Sequence, residues 1–341
     1  MITAPPFDLT FPHRRFNPLL GTWVLNSPQR SQRPWAGHQV EDIEHSLPPY
    51  ASDCPLCPGN KRVNGVQNPE YKDIFVFDND FPALTDDPGT FKAPYDALLK
   101  IEPVTGVCRV VCFTARHDLT LADLTIRELN DLFRVLTAQQ VELAQHYRWV
   151  QIFENKGKIM GSSQPHPHFA IWATSYVPST LWAEHVNQKT YFLDHGSVML
   201  LDYARLESSS QERVVLFNDS WLAVVPFWAL WPFEVLIIPT KRHIPRFEQL
   251  CEVELNEYVQ MLSKLLKKYD KLFNVSFPYA MGWHGAPYLA DSLDFWQTHT
   301  HIFPPLLRSA SIRKFWSASE MLTEGLRDLT PERAASILRK L

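Results

Sequence analysis

Apolar residues recur along this chain with two distinct periods, and the alternation between them outlines an architecture. Leu129, Phe133, Leu136 and Leu143 fall at three-to-four spacing, the period of one helical face. Thr125-Ile126-Arg127-Glu128, just ahead of them, has the form of a capping box. Leu255, Val259, Leu262 and Leu266 repeat the stripe later in the chain, and both stripes read as ordinary core faces. Pro331 to Lys340 predicts a further helix, with proline at its start. Between these segments lie short β-branched and aromatic runs bounded by Gly, Pro and Asn, the pattern of strands. The class predicted is α+β, an antiparallel sheet with helices packed on it. The 27 prolines predict long ordered loops over that core.

The patterns repeat in order. Ile74-Phe75-Val76-Phe77-Asp78-Asn79-Asp80-Phe81 is followed by the strand Arg109-Val110-Val111-Cys112-Phe113, then by Arg116-His117 and a helix. Val214-Val215-Leu216-Phe217-Asn218-Asp219-Ser220 is followed by Glu234-Val235-Leu236-Ile237-Ile238, then by Arg242-His243 and another helix. Each copy closes with His-x-His, as His166-Pro167-His168 and as His299-Thr300-His301. Similarity at this scale implies two related modules, over residues 1–190 and 191–341, and not a short-period solenoid. The apolar run Trp221 to Pro239 is interrupted by Pro226, Pro232 and Glu234. It predicts two buried strands joined by a turn in place of a membrane helix.

Composition narrows the function classes. The 33 basic and 37 acidic residues nearly balance, so no nucleic-acid surface is expected. Met1 to Pro12 has neither a basic start nor a continuous apolar core, so no signal peptide is expected. The five cysteines show no disulfide framework for so long a chain. Cys108 and Cys112 fall in a strand-rich run and face a core, and reduced thiols fit a cytoplasmic protein.

The candidate chemistry is concentrated in histidines. In Gln164-Pro165-His166-Pro167-His168 two imidazoles two residues apart point to the same side of an extended segment. One can be held by a metal while the other attacks an electrophile. Cys54-Pro55-Leu56-Cys57 offers two thiols, and His117 with His166 would complete a Cys2His2 site. Spacing alone does not select these among 13 histidines, and an incidental C-x-x-C in a loop is the alternative. His284, His299 and His301 with an acid such as Glu184 would suit zinc or iron, although spacing does not choose Glu184 over other acids. Asn79-Asp80-Phe81 sets hydroxyl-binding groups beside an aromatic face, as a nucleoside site requires. The segment Asn155 to Ser163 is a polar, glycine-containing loop leading into His166-Pro167-His168. It would either hold phosphate oxygens beside His168 or be a plain surface loop. Neither a P-loop nor a G-x-G-x-x-G motif is present.

Taken in order, these motifs are similar to those of the galactose-1-phosphate uridylyltransferases. The resemblance rests on Pro28-Gln29-Arg30-Ser31-Gln32-Arg33-Pro34-Trp35, the C-P-L-C pair, Phe77 to Phe81, Phe153-Glu154-Asn155-Lys156-Gly157 and His166-Pro167-His168. It continues through Pro226-Phe227-Trp228-Ala229, Gly282 to Pro287, His299-Thr300-His301 and Pro304 to Ser309, and so covers essentially the whole chain. That family belongs to the histidine-triad (HIT) superfamily and has two fused HIT-like repeats. The resemblance implies that His168 attacks the α-phosphorus of UDP-glucose, expels glucose 1-phosphate and passes UMP to a second sugar 1-phosphate. It implies zinc on Cys54, Cys57, His117 and His166, and iron or zinc on Glu184, His284, His299 and His301. Leu56, Val63, Asn79, Asp80, Phe81, Val110 and Asn155 match the uridine pocket, and Gly161 and Ser163 match phosphate contacts. Lys314, Phe315 and Glu320 match the acceptor side. Arg30 and Arg33 match arginines brought near the phosphates in a homodimer.

Four positions depart from the family pattern. The family usually reads His-Pro-His-x-Gln, whereas His168 is followed here by Phe169-Ala170, so an amide donor to the phosphoryl group is missing. Ser319 replaces a tyrosine near the hexose, Leu326 stands where the family keeps a glutamine, and Trp316 adds bulk. Losing one preorganised donor typically costs about 2.7–4 kcal/mol of transition-state stabilisation. Galactose 1-phosphate is the default acceptor. The departures leave open a relative specialised for another acceptor or for water, with weaker galactose 1-phosphate turnover, or a catalytically weak nucleotide-binding homologue.

Overall fold

Alternating burial picks out the strands and separates the two faces of the main sheet. We describe a computed structural model covering residues 10–32, 47–87, 89, 98–289, 292–309 and 312–341. An N-terminal hairpin, His13–Asn17 (β1) and Thr22–Asn26 (β2), lies outside the main sheet. The first repeat supplies Phe75–Asp78 (β3), Gly106–Cys112 (β4), Trp149–Lys156 (β5) and His168–Thr174 (β6). Helix Ile126–Leu143 (α1) connects β4 to β5. Helices Ser179–His195 (α2) and Met199–Ser210 (α3) lead to Val214–Phe217 (β7), Trp221–Val224 (β8) and Val235–Pro239 (β9). Helix Glu252–Leu272 (α4) then precedes Tyr279–His284 (β10) and His299–Phe303 (β11).

These nine strands form one antiparallel sheet in the order β3-β4-β6-β5-β10-β11-β9-β8-β7. The duplication is visible in that order: β3-β4-β6-β5 with α1 after β4 is repeated by β8-β9-β11-β10 with α4 after β9. The halves join where β5 and β10 pair, Phe153 opposite Gly282. The α+β, two-repeat expectation therefore holds, as does the reading of Trp221 to Pro239 as two buried strands. Residue 190 lies within α2.

Both expected helical stripes face the core. The Thr125 hydroxyl accepts the Glu128 N–H at 3.3 Å and the Glu128 carboxylate accepts the Thr125 N–H at 2.8 Å, closing the capping box. α1 and α4 lie side by side on one sheet face, where Phe133 meets Tyr258 and Trp283 at ring distances of 5.2 and 5.6 Å. In β10, Tyr279, Met281 and Trp283 point into this core, while Gly282 and His284 lie on the opposite face. That opposite face carries the chemistry, because one-residue alternation puts His168, His284, His299 and His301 there.

The C-terminal segment forms a short hairpin, Leu307–Ser309 (β12) with Ile312–Arg313 (β13), then helix Ala318–Leu322 (α5), strand Leu326–Arg327 (β14) and helix Pro331–Lys340 (α6). β14 pairs in parallel with β2, tying the two ends of the chain together. Glu332 on α6 clamps this junction, accepting from Arg15 at 2.8 and 3.1 Å and from Arg213 at 2.9 Å. Burial opposes ionisation of Glu332, but hydrogen bonds and charge from Arg15 and Arg213 prevail and bring its pKa down to about 2. A depressed carboxyl contributes stability that is full above the unfolded pKa and lost as pH falls through the folded one. Glu332→Gln is therefore expected to destabilise the protein by about 3 kcal/mol at pH 7, seen in urea midpoints. The gap from the parent should narrow as pH falls from about 4.5 toward 2; a gap independent of pH would contradict the assignment.

Candidate active site and metal centres

The C-P-L-C segment is a turn held by two asparagines. Asn60 donates to the carbonyls of Ala51 and Cys54 at 2.9 and 2.8 Å, and Asn68 to those of Pro55 and Cys57 at 2.8 and 3.0 Å. The turn covers one face of β3 and β4, where Leu56 meets Val110 and Cys112 in a small buried cluster. His117 follows β4 and His166 precedes β6, and both rings reach the turn. One ligand atom from each of Cys54, Cys57, His117 and His166 lies within 4.8 Å of the others, and all four residues are buried. The Cys57 Sγ is 3.5 Å from the Nδ1 of each histidine. His166 Nε2 donates to the Thr114 carbonyl at 3.0 Å, which leaves its Nδ1 lone pair aimed at the thiols. Burial pushes the Cys57 thiol up to about 11 and His166 down to about 4. Two thiols and two neutral imidazoles at these separations fit a tetrahedral metal ion.

The second cluster joins three elements. His284 on β10 stands directly opposite His299 on β11, and His301 opposite Gly282. Glu184 projects from α2, within hydrogen-bond distance of His284 Nδ1 (3.1 and 3.0 Å). His299 and His301 Nε2 approach it at 3.5 and 3.7 Å. Burial works against the Glu184 charge, but the charge of His284 and contacts from all three imidazoles hold its carboxyl well below the usual range. Burial drives His301 down to about 3. His299 Nε2 and both ring nitrogens of His301 are buried without a hydrogen-bond partner. Buried orphan nitrogens converging on a carboxylate fit a cation held between them. By position in the repeat, His301 is the counterpart of His168 and His299 of His166.

His168 opens β6 opposite Cys112 on β4. Its Nδ1 lies 2.8 Å from the His166 carbonyl, so Nδ1 carries the proton and Nε2 keeps its lone pair. Burial lowers its pKa and keeps the ring neutral near pH 7. A cavity of about 130 Å³ lies at the end of β5 and the start of β6, and His168, His166 and Asn155 line it. Ser162 lines it too, while Ser163 and Gly161 sit exposed on the neighbouring loop. The uridine-side residues cluster along β3 and the cysteine turn. Leu56 and Val110 are buried, Val63 is exposed, and Phe81 presents an aromatic face that is 72% exposed. Asn79 accepts the Phe81 N–H at 2.9 Å, and Asp80 pairs with Arg62 at 3.1 Å.

Lys314, Phe315 and Glu320 lie together at α5. Glu320 is buried and already engaged by Lys314 at 3.3 Å and Arg327 at 2.9 Å, whereas Phe315 is exposed. Arg30 lies in the turn Pro28–Gln32 and does not line the His168 cavity, and Arg33 falls outside the described residues. Sequence reasoning missed Asn60 and Asn68, which hold the cysteine turn, and Lys158, which lines the His168 cavity. The asparagines sit among ordinary loop residues; Lys158 lay inside the loop already singled out.

A duplicated sheet with a neutral, lone-pair-presenting histidine beside a Cys2His2 centre defines a group-transfer enzyme of the nucleotidyltransferase class. Residues 6–178 match the family described as "Galactose-1-phosphate uridyl transferase, N-terminal domain", and residues 184–341 match its C-terminal domain. The galactose-1-phosphate uridylyltransferase of Haemophilus influenzae is 47% identical over 330 residues, 97% of this chain and 94% of that protein. The enzyme of that name from Rattus norvegicus is 45% identical over 335 residues, 96% of this chain and 87% of that protein. A solved uridylyltransferase structure superposes with a TM-score of 0.75 at 26% identity, over 96% of this chain and 97% of that one. The chain belongs to the galactose-1-phosphate uridylyltransferase family. Among its described residues no helix is long and apolar enough to cross a membrane.

Proposed function

We propose that this chain moves UMP from UDP-glucose to galactose 1-phosphate through a covalent uridylyl-His168. The observation that carries the reading is the 2.8 Å contact from His168 Nδ1 to the His166 carbonyl, which leaves Nε2 as a nucleophile at the cavity. In the first step the Nε2 lone pair attacks the α-phosphorus. An N–P bond forms, the P–O bond to the bridging oxygen breaks, and the electron pair leaves on glucose 1-phosphate. In the second step a phosphate oxygen of galactose 1-phosphate attacks, the N–P bond breaks and its electrons return to Nε2. Neither step needs a proton from the protein, because the leaving and attacking phosphates are both anionic near neutral pH. Relatives of this name at 45–47% identity support the default acceptor over a specialised relative, despite Ala170, Ser319 and Leu326.

The uridine reading places Phe81, Leu56, Val63 and Val110 against the base, Asn79 and Asp80 on the ribose side and Asn155 near the phosphates. Gly161 and Ser163 contribute phosphate donors, and Lys314, Phe315 and Glu320 frame the acceptor side. Zinc would sit on Cys54, Cys57, His117 and His166, and iron or zinc on Glu184, His284, His299 and His301. Bound there, each ion supplies structural cross-linking of its segments. Arg30 and Arg33 would approach the phosphates across a homodimer interface, a reading supported by the placement of Arg30 away from its own His168 cavity. Two modules, near residues 1–190 and 191–341, divide the chain within α2, a reading that the repeated strand order supports. Five free thiols fit a cytoplasmic setting.

The test is rapid-quench intact-mass analysis with UDP-glucose alone. A UMP-sized adduct on His168, labile to acid and stable to alkali, should form and discharge on adding galactose 1-phosphate. Active protein that never carries the adduct would overturn the covalent route. An adduct discharged far better by another sugar 1-phosphate would overturn the acceptor.

A further inference from the structure

The sheet around residue 170 offers no substitute for the missing amide donor. Ala170 shares a face with His168, and its cross-strand neighbours are Val110 on β4 and Phe153 on β5. Both are apolar, so the flanking strands supply no donor to the transferred phosphoryl group, and the loop above the start of β6 is the nearest segment of this chain that lines the cavity. That loop has a fixed backbone. Gly157 sits at φ 89° against Pro278, where a Cβ would come within 3.1 Å of the proline ring. The Met160 N–H donates to the Gly157 carbonyl and the Gly161 N–H to the Lys158 carbonyl, both at 3.0 Å.

The charges that line the His168 cavity are nearly all spent elsewhere. Lys156 is bound to Asp270 at 3.1 Å, and Asp118 is bound to Arg116 at 2.6 Å. Glu154 is wholly buried, and that burial brings its carboxyl up to about 7. Lys158 lines the same cavity, is exposed, and makes no ion pair or side-chain hydrogen bond among the described residues.

We propose that Lys158 is a catalytic residue whose ammonium stabilises the phosphoryl oxygens during transfer to and from His168, in place of the donor lost at Ala170. The proposal rests on His168 as nucleophile. An ammonium on a flexible four-carbon stem acts as a point charge and tolerates small differences in oxygen position, unlike a fixed amide. Negative charge accumulates around the phosphorus as the N–P bond is made or broken, and a cation held at the cavity is worth most at that moment.

The test is single-turnover formation of uridylyl-His168 from UDP-glucose in four proteins: the parent, Lys158→Met, Lys158→Arg, and Lys158→Met combined with Ala170→Gln. Lys158→Met should slow adduct formation by about 10²-fold, with the thermal midpoint unchanged because the side chain is exposed. Lys158→Arg should stay within about tenfold of the parent, since the charge remains. Adding Ala170→Gln to Lys158→Met should recover most of the lost rate, because the two groups serve the same oxygens and their effects are not additive. Adduct formation at the parental rate in Lys158→Met overturns the proposal, as does a slow double variant no faster than Lys158→Met. A parent that forms no adduct at all instead removes the His168 reading, so the two failures are distinguishable.

Discussion

His168→Gly is expected to lower uridylyl transfer by about 10⁴-fold or more, a loss of the size seen when a covalent nucleophile is removed. The covalent route splits one displacement into two, with glucose 1-phosphate leaving in the first and the His168 imidazole leaving in the second. Without Nε2, galactose 1-phosphate would have to attack the α-phosphorus of UDP-glucose directly, with both anionic substrates bound at once. The substitution is structurally mild. It removes one hydrogen bond, from Nδ1 to the His166 carbonyl, worth about 1 kcal/mol net. His166 keeps its bond to the Thr114 carbonyl and its place beside Cys57. Thermal midpoint should therefore fall by only a few degrees, metal content should match the parent, and UDP affinity should stay within several-fold, since Phe81, Asn79 and Asp80 are untouched. Exchange of labelled glucose 1-phosphate into UDP-glucose should vanish together with net transfer. A variant that retains transfer within about tenfold of the parent would require a different nucleophile.

The parts of this molecule that were legible in its sequence are those governed by period. The two-residue period placed His299 and His301 on one face, and the helical period found α1 and α4 with their buried stripes. What was not legible follows from side chains that break those periods. α2 carries no clean apolar stripe: its buried face includes Glu184, His185 and Gln188, polar residues that sequence patterning assigns to solvent. For that reason Glu184 had no claim over other acids on spacing alone, and only a helix docked over β10 and β11 selects it. The pairing of β14 with β2 is equally silent in sequence, because two residues of strand far along the chain have no local signal. Ala170 reads as an absence in sequence. The structure adds that its neighbours are Val110 and Phe153, which turns that absence into a question about Lys158.

Cys54→Ser combined with Cys57→Ser is expected to remove one equivalent of metal, to lower the thermal midpoint and to impair transfer together. The four candidate ligands come from three separated segments, the cysteine turn, the stretch after β4 and the approach to β6, so one ion held there would cross-link all three. A structural metal ion contributes folding free energy directly, and losing one here should remove several kcal/mol, a fall on the order of 5 °C or more. Without an ion the cluster has little of its own to hold it together. Burial leaves the Cys57 thiol up at about 11 and His166 down at about 4, so neither carries the charge that would bind the other. Activity follows because the His166 carbonyl orients His168, and a His166 released from its ion no longer fixes that carbonyl. The Glu184 cluster shares no ligand with this one, so its metal should persist and the metal lost should be a single equivalent by elemental analysis. Binding should also release protons and weaken as pH falls, because thiolates are the ligands and acid returns them to thiols. Unchanged metal content in the double variant, or a full loss from both clusters with the fold intact, would show that Cys54 and Cys57 do not hold an ion of their own.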